Sequence, residues 1–266
     1  MIQPATTFLG NTKFTKSVKG CMVALTSYTN DTSFEEWHSH ENSSISFLLN
    51  GFHKEDFLGK TLLRVPGDIK FIPAGEMHRC NDYTPETRKI NLDLTDELLK
   101  QMEVSEEGVI NLIDRSGQPK FTLLKLYHEL NDNGSHATAS SQLMLYELFH
   151  PKSAASKVRG NKAPAWVYVL KQLLHDEWDT SFDLHELSLR LGIHPVTISR
   201  YFPQYFASTL GSYMKTIKID KALGLIKSTN CSLTEIGYMC GFSDQAHFTR
   251  TFKELTGFLP KDFRKA

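Results

Sequence analysis

Two segments of this chain repeat each other. LHELSLRLGIHPVTISRYF runs from Leu184 to Phe202, and LTEIGYMCGFSDQAHFTRTF runs from Leu233 to Phe252. Each reads as a short amphipathic helix, a glycine, an apolar residue, a helix start and a second helix ending in Arg-x-Phe. Gly192 and Gly241 lie 49 positions apart, whereas Arg200–Arg250 and Phe202–Phe252 lie 50 apart, so the second copy carries one extra residue. No other feature restricts the fold as strongly, because each position has a physical task. Gly192 and Gly241 are placed to end a helix at positive φ and turn the chain tightly. Ile193 and Phe242 then plug the corner between helices. Ser243 is placed to cap the next helix, and Pro195 to start its counterpart. Ile198, Phe202, Phe248 and Phe252 face a small core. The unit is a helix-turn-helix, present twice.

This packing turns Val196, Thr197, Ser199 and Arg200 outward in one copy. In the other it turns out Gln245, Ala246, His247, Thr249 and Arg250, beside Ser243. Arg, Gln, Thr and small apolar side chains suit base edges and thymine methyls in a major groove. Lys218, between the copies, is placed to meet phosphate or solvent. The competing reading is an all-α bundle with a polar surface. Two units in register weigh against it, and so does charge. Residues 1–150 hold 14 Lys+Arg and 20 Asp+Glu, a net −6, while residues 151–266 hold 16 and 10, a net +6. Only the second part is suited to a polyanion.

Residues 164–266 resemble the DNA-binding domain of the AraC/XylS family of transcriptional regulators. The closing run IGYMCGFSDQAHFTRTFKELTGFLPKDFR is similar to that family's signature almost throughout, at Gly241, Phe242, Ser243, Phe248, Arg250, Phe252, Gly257, Pro260 and Arg264. The resemblance implies two helix-turn-helix units joined by a long helix, about Leu210 to Ile226. It also implies recognition helices in successive major-groove segments of double-stranded promoter DNA, activation rather than repression, and contact with RNA polymerase. Departures fall mostly in the first unit. His194 stands where a capping Ser is usual, Ala207 where a Gly is usual, and Pro203 interrupts the end of the first recognition helix. Lys218 replaces a usual Arg on the connecting helix.

The first part of the chain reads differently. GCMVALTSY, SSISFLLNGFHKE, TLLRVPGDIKFIPAG and RKINLDL alternate β-prone and polar residues between turn signals, which predicts an antiparallel sandwich or barrel to about Leu94. TDELLKQMEV, PKFTLLKLYHELND and SSQLMLYELFH have helical spacing. PKSAASKVRGNKAPA is small, basic and nearly free of large apolar residues, and reads as a linker. The expected fold is therefore α+β with two domains. Residues 1–150 form an effector-sensing and dimerisation domain, a β-barrel with helices flanking it at its C-terminal side. Residues 151–163 are a flexible basic linker, and residues 164–266 are all-α with two helix-turn-helix units.

The resembled family often carries a cupin-like sensor domain, and residues 1–94 are similar to one. His38-Ser-His40 is followed by Ser44 and Gly51, and Gly67 leads to Pro73-Ala-Gly75 and His78. This matches both cupin motifs except that Ser44 holds the carboxylate position, Thr32 holds a glycine position and Asn81 lies one residue too close. Three neutral imidazoles can hold Zn²⁺ or Fe²⁺ with an open position. Without the carboxylate, the effector-lining reading of His38, His40 and His78 ranks ahead of the metal reading, and no cofactor is expected. Trp37, Phe47, Phe71 and Arg79 are further candidates to line an effector pocket, although Phe47 and Phe71 individually also suit a strand core.

No apolar run approaches the roughly 20 residues of a membrane span, and MIQPATTFLGNTKFTK lacks the pattern of a secretory signal. Cys21, Cys80, Cys231 and Cys240 are scattered and read as free thiols in a reducing cytoplasm. No Ser/His/Asp array, phosphate loop or acid/base carboxylate pair stands out. The expectation is a cytoplasmic, homodimeric, sequence-specific regulator and not an enzyme. The alternatives are a cupin metalloenzyme, a dioxygenase or isomerase, fused to a DNA-binding module, and a dimeric regulator without an effector.

Overall fold

The computed structural model describes residues 2–3, 8, 10–29, 34–115, 117–131, 137–151 and 163–266. Alternation decides the first half. Strands β2 (Asn11–Val18), β3 (Cys21–Tyr28), β10 (Thr87–Leu94), β5 (Ser43–Asn50) and β8 (Ile69–Ile72) form one antiparallel sheet in that order. Strands β7 (Lys60–Arg64), β6 (His53–Phe57) and β9 (His78–Asn81) form a second. A short β1 (Ile2–Gln3) runs parallel to β4 (Ser39–His40). The strands of the expected barrel thus divide into two sheets with a polar interior between them.

The central strands β5 and β10 are buried on both faces. A period of two separates their side chains. Ile45, Phe47 and Leu49 lie with Ile90, Leu92 and Leu94 in an apolar core. Ser44, Ser46, Lys89 and Asn91 point the other way, into the space shared with the second sheet. Helices α1 (Asp96–Gln101), α2 (Glu106–Arg115), α3 (Gln118–Asn131) and α4 (Ala137–Phe149) complete this half. In α3, Phe121, Leu124 and Leu126 are buried in that same apolar core.

The second half is helical: α5 (Ala165–Asp176), α6 (Leu184–Leu191), α7 (Pro195–Phe206), α8 (Leu210–Ser228), α9 (Leu233–Met239), α10 (Gln245–Thr256) and α11 (Pro260–Lys265). Its two helix-turn-helix units do not share one core. The first, α6–α7, packs with α5 and the start of α8 around Leu170, Leu174, Leu187, Ile198, Phe202, Met214 and Ile217. The second, α9–α10, packs with the rest of α8 through Ile219, Leu223 and Ile226, in a core continuous with that of the sheets and α3. Phe258 lies edge-on to His128 of α3 at 4.6 Å, Gly257 lies against Lys125 and His128, and Lys120 pairs with Asp220. The linker expected at 151–163 lies, apart from Pro151 and Ala163, outside the described residues.

This division changes what truncation should do. A fragment beginning at Pro164 keeps the first unit's core whole and strips the second unit of its support from α3. The fragment should melt below the full chain, and amide exchange should quicken in α9–α10 and the C-terminal part of α8 while α6–α7 stay protected. Equal protection of both units in fragment and full chain would show that the shared core contributes little.

Candidate functional site

The two turns are built as their residues imply. Gly192 and Gly241 adopt φ of 65° and 67°. A Cβ at Gly241 would fall 2.3 Å from the Asp179 carbonyl oxygen, so glycine is required there for space as well as for φ. The cap of α10 is not Ser243 but Asp244, whose Oδ1 accepts from the His247 amide at 2.7 Å, while Ser243 donates to the other carboxylate oxygen at 3.3 Å. A carboxylate at that terminus also suits the helix dipole, and the amide bond from His247 holds the Asp244 carboxyl below its ordinary pKa. At α7 the cap is His194, whose Nδ1 accepts from the Val196 amide at 3.3 Å. Pro203 does not interrupt α7, which runs on to Phe206. The non-glycine Ala207 closes it in the left-handed region at φ 59°.

The expected reading residues reach the surface on both helices. Val196, Ser199, Arg200, Gln245, Ala246 and Arg250 are exposed, and Thr197, His247 and Thr249 are half-buried. Gln245, Ala246, Thr249, Arg250, Lys253 and Leu259 line one open groove. Among the described residues no carboxylate lies within ion-pair distance of Arg250, so its fork is free to meet a base edge. Gln245 accepts a hydrogen bond from the Thr234 hydroxyl at 3.0 Å, which orients its amide.

Lys218 is a correction. It is only 9% exposed, and its ammonium donates to the Gly241 carbonyl at 2.9 Å. It sits inside the domain and is not available to phosphate. Lys227 is likewise turned in, donating to the Arg264 carbonyl over the Phe263 ring. Burial, with Arg88 adding repulsion, pushes its pKa down to about 7.

Between the two sheets lies a cavity of about 40 Å³ lined by His38, His40 and His78, as expected, and by Tyr28, Glu35, Ser44, Ser46, Glu55, Cys80, Lys89 and Asn91. One water needs roughly 10–15 Å³ and drug-sized ligands roughly 300–1,000 Å³, so this space suits a compact polar guest. The other expected lining residues fall elsewhere. Phe47 and Phe71 point into the apolar core, because Phe71 pairs with Ile45 on its side of the sheet. Trp37 and Arg79 lie outside the cavity: Arg79 alternates with His78 and Cys80, bonds Asp56 at 2.8 Å and stacks over Trp37 at 5.2 Å.

Several interior polar groups partner one another. Arg64 donates to Glu55 at 2.7 Å, Lys89 donates to the Tyr83 hydroxyl at 2.8 Å, and Tyr83 donates to Glu35 at 2.9 Å. The three imidazoles bring a nitrogen each within 4.8 Å of one another. His38 and His78 each place Nδ1 against a backbone carbonyl, of Glu36 at 2.7 Å and Glu76 at 3.0 Å. That fixes the proton on Nδ1 and leaves Nε2 as the lone-pair donor, the arrangement second-shell carbonyls give a metal-binding histidine. These three residues therefore fit a divalent transition metal, without a carboxylate from position 44. His53, Glu55 and Cys80 also cluster, but Glu55 is held by Arg64 and the Lys89 ammonium lies 4.0 Å from the Cys80 sulfur, so added cation would meet two positive neighbours.

Burial, with His78, His38 and Lys89 adding to it, lowers the pKa of His40 to about 3, and burial lowers that of His78 as well. The folded values lie below the ordinary 6.5, so the unfolded chain takes up protons first as pH falls. The stability that neutral His40 contributes is fully present above pH 6.5 and is lost progressively as pH falls towards 3. Tm recorded across that interval should fall with pH, and less steeply for His40→Gln; identical slopes would remove His40 from the acid response.

Two units of helix, tight turn and helix, each with an exposed polar face on its second helix, define a double helix-turn-helix DNA-binding domain. Residues 187–266 match the protein family described as Helix-turn-helix domain, and this part of the chain is an AraC-type DNA-binding domain. The HTH-type transcriptional activator RhaS of Shigella sonnei (strain Ss046) is 28% identical over 258 residues, 86% of this chain and 87% of that protein. RhaS of Enterobacter sp. (strain 638) is 31% identical over 141 residues, 49% of this chain and 48% of its own length. With RhaS of Enterobacter sp. (strain 638) and of Escherichia coli O9:H4 (strain HS), the match spans about half of the relative's length. Among solved structures, ToxT from Vibrio cholerae covers 92% of this chain and 98% of its own, with 11% identity and a TM-score of 0.38.

Proposed function

We propose that this chain is a sequence-specific transcriptional activator whose hold on promoter DNA is set by a small polar effector in the cavity between the sheets. The observation that carries the reading is the pair of helix-turn-helix units with exposed Arg, Gln and Thr side chains on both second helices. The relatives named as activators support the sign of regulation. Binding would shift the population between arrangements of the reading helices. An exposed apolar stripe on α4, Leu143 and Tyr146 at i and i+3, supports a homodimer through that helix. Contact with RNA polymerase and a cytoplasmic site of action accompany this reading; no helix among the described residues is long and apolar enough to cross a membrane.

Genome-wide mapping of bound DNA tests the reading, because the target genes define both the sites and the pathway. Bound segments should share a two-part sequence, and their absence would sink the proposal. A thermal-shift panel of compact polyols, sugar acids and amino acids tests the cavity, since a specific ligand raises Tm. The three-histidine geometry favours a second reading, a metal-holding sensor or enzyme. Elemental analysis showing one transition metal per chain, lost in His38→Ala and His78→Ala, would replace the effector reading with it.

A further inference from the structure

The two reading units meet around the middle of α8. Along α8, Met214 and Ile217 belong to the first unit's core, while Ile219, Ala222 and Leu223 belong to the second's. Lys218 stands at the change between them. Its ammonium donates to the carbonyl of Gly241, the turn residue of the second unit. The same turn presses against the Asp179 carbonyl, in the connection between α5 and α6 of the first unit. Trp178, next in sequence to Asp179, packs against both cores. At this junction α8, the second unit's turn and the first unit's opening segment touch through one buried cation. The negative group that faces it is Asp179; the Cys240 thiol beside it is kept neutral, because burial pushes its pKa up.

We infer that Lys218 is a positioning residue for DNA recognition: by tying the Gly241 turn to the middle of α8 against Asp179, it fixes the separation and angle of the two recognition helices. It thereby determines the spacing of the two sub-sites the protein accepts. The inference rests on the reading that both helices contact DNA. The physical reason is that a hydrogen bond to a charged donor is strong where water is excluded. An apolar side chain of similar length would leave the Gly241 carbonyl without that donor. The two units would then be joined by the α8 backbone and by the Trp178 contact, which resists sliding less than a directed bond does.

The test is selection of bound sequences from a random duplex DNA library by the full chain, as wild type, Lys218→Met and Lys218→Arg, each held well below its own Tm. Wild type should select two short sub-sites at one separation, near one helical turn of about 10–10.5 bp. Lys218→Met should keep the base content of each sub-site, spread the separations over several base pairs and lose roughly tenfold in affinity for the wild-type spacing. Lys218→Arg, which keeps a charged donor, should restore a single separation. If Lys218→Met does not fold, Lys218→Gln, whose arm is shorter by one bond and uncharged, should broaden the spacing in its place. A folded variant with lowered Tm and unchanged spacing would reduce Lys218 to a stabilising residue and overturn the inference, and so would a Lys218→Gln protein with wild-type spacing when Lys218→Met is unfolded. Selection of no sequence by wild type would instead overturn the DNA-reading proposal itself, and this inference with it.

Discussion

Arg64→Met is expected to lower Tm by roughly 6–20 °C, the equivalent of about 3–5 kcal/mol for orphaning a buried charge. Arg64 is 3% exposed and Glu55 is 2% exposed. Burial pushes the Glu55 carboxyl up, and Arg64 and Lys89 more than reverse this, holding it below its ordinary pKa and therefore ionised. Besides Glu55, the guanidinium donates to the Ser46 carbonyl at 3.3 Å and the Asp68 carbonyl at 3.4 Å. Methionine fills much of the same volume and satisfies none of these acceptors. The paired change Arg64→Met with Glu55→Leu separates the causes: removing both charges should recover a large part of the loss. A single variant that melts within a degree or two of wild type would mean that the pair is hydrated and that the cavity is not closed.

Arg250→Ala should have the second large effect, on recognition rather than on stability. Arg250 is exposed at the lip of the α10 groove. A bidentate contact to guanine O6 and N7 is worth about 1–3 kcal/mol of discrimination at one base pair. Affinity for the selected site should fall accordingly, and preference should relax at one position while the rest of the site is kept. Because no ion pair is broken, Tm should stay close to wild type. Base preference unchanged alongside a large loss of Tm would place Arg250 in the fold and not on the reading surface.

The helix-turn-helix units were legible because everything that defines them is local. Gly192 and Gly241 at positive φ, the apolar positions at helical spacing and the outward faces all follow from neighbours a few residues away. Local reasoning placed one cap wrongly, at Ser243 and not Asp244, since adjacent Ser and Asp are both competent caps. The cavity between the sheets was half legible. His38, His40 and His78 came from spacing, but Glu55, Lys89 and Asn91 did not, because a polar residue alternating with aliphatics in a strand ordinarily faces water. Only the second sheet turns that face into an interior. The same ambiguity of sides misplaced Phe47 and Phe71, which share the strand alternation but lie on the apolar face. Lys218 was misread for a related reason. Helix α8 is enclosed on most of its surface, so its sequence has no polar stripe to show which charged residues are inside.

That enclosure has a mechanical consequence. One end of α8 is clamped in the first unit's core and the other in the core that includes the sheets. The helix is then a torsion bar held in two vices, and a twist applied by the sheet-bearing half is delivered to the first reading unit through the step from Ile217 to Ile219. Load introduced anywhere around the cavity reaches the second reading unit directly, through the core they share, and reaches the first along that bar and through the Trp178 and Asp179 contacts beside it.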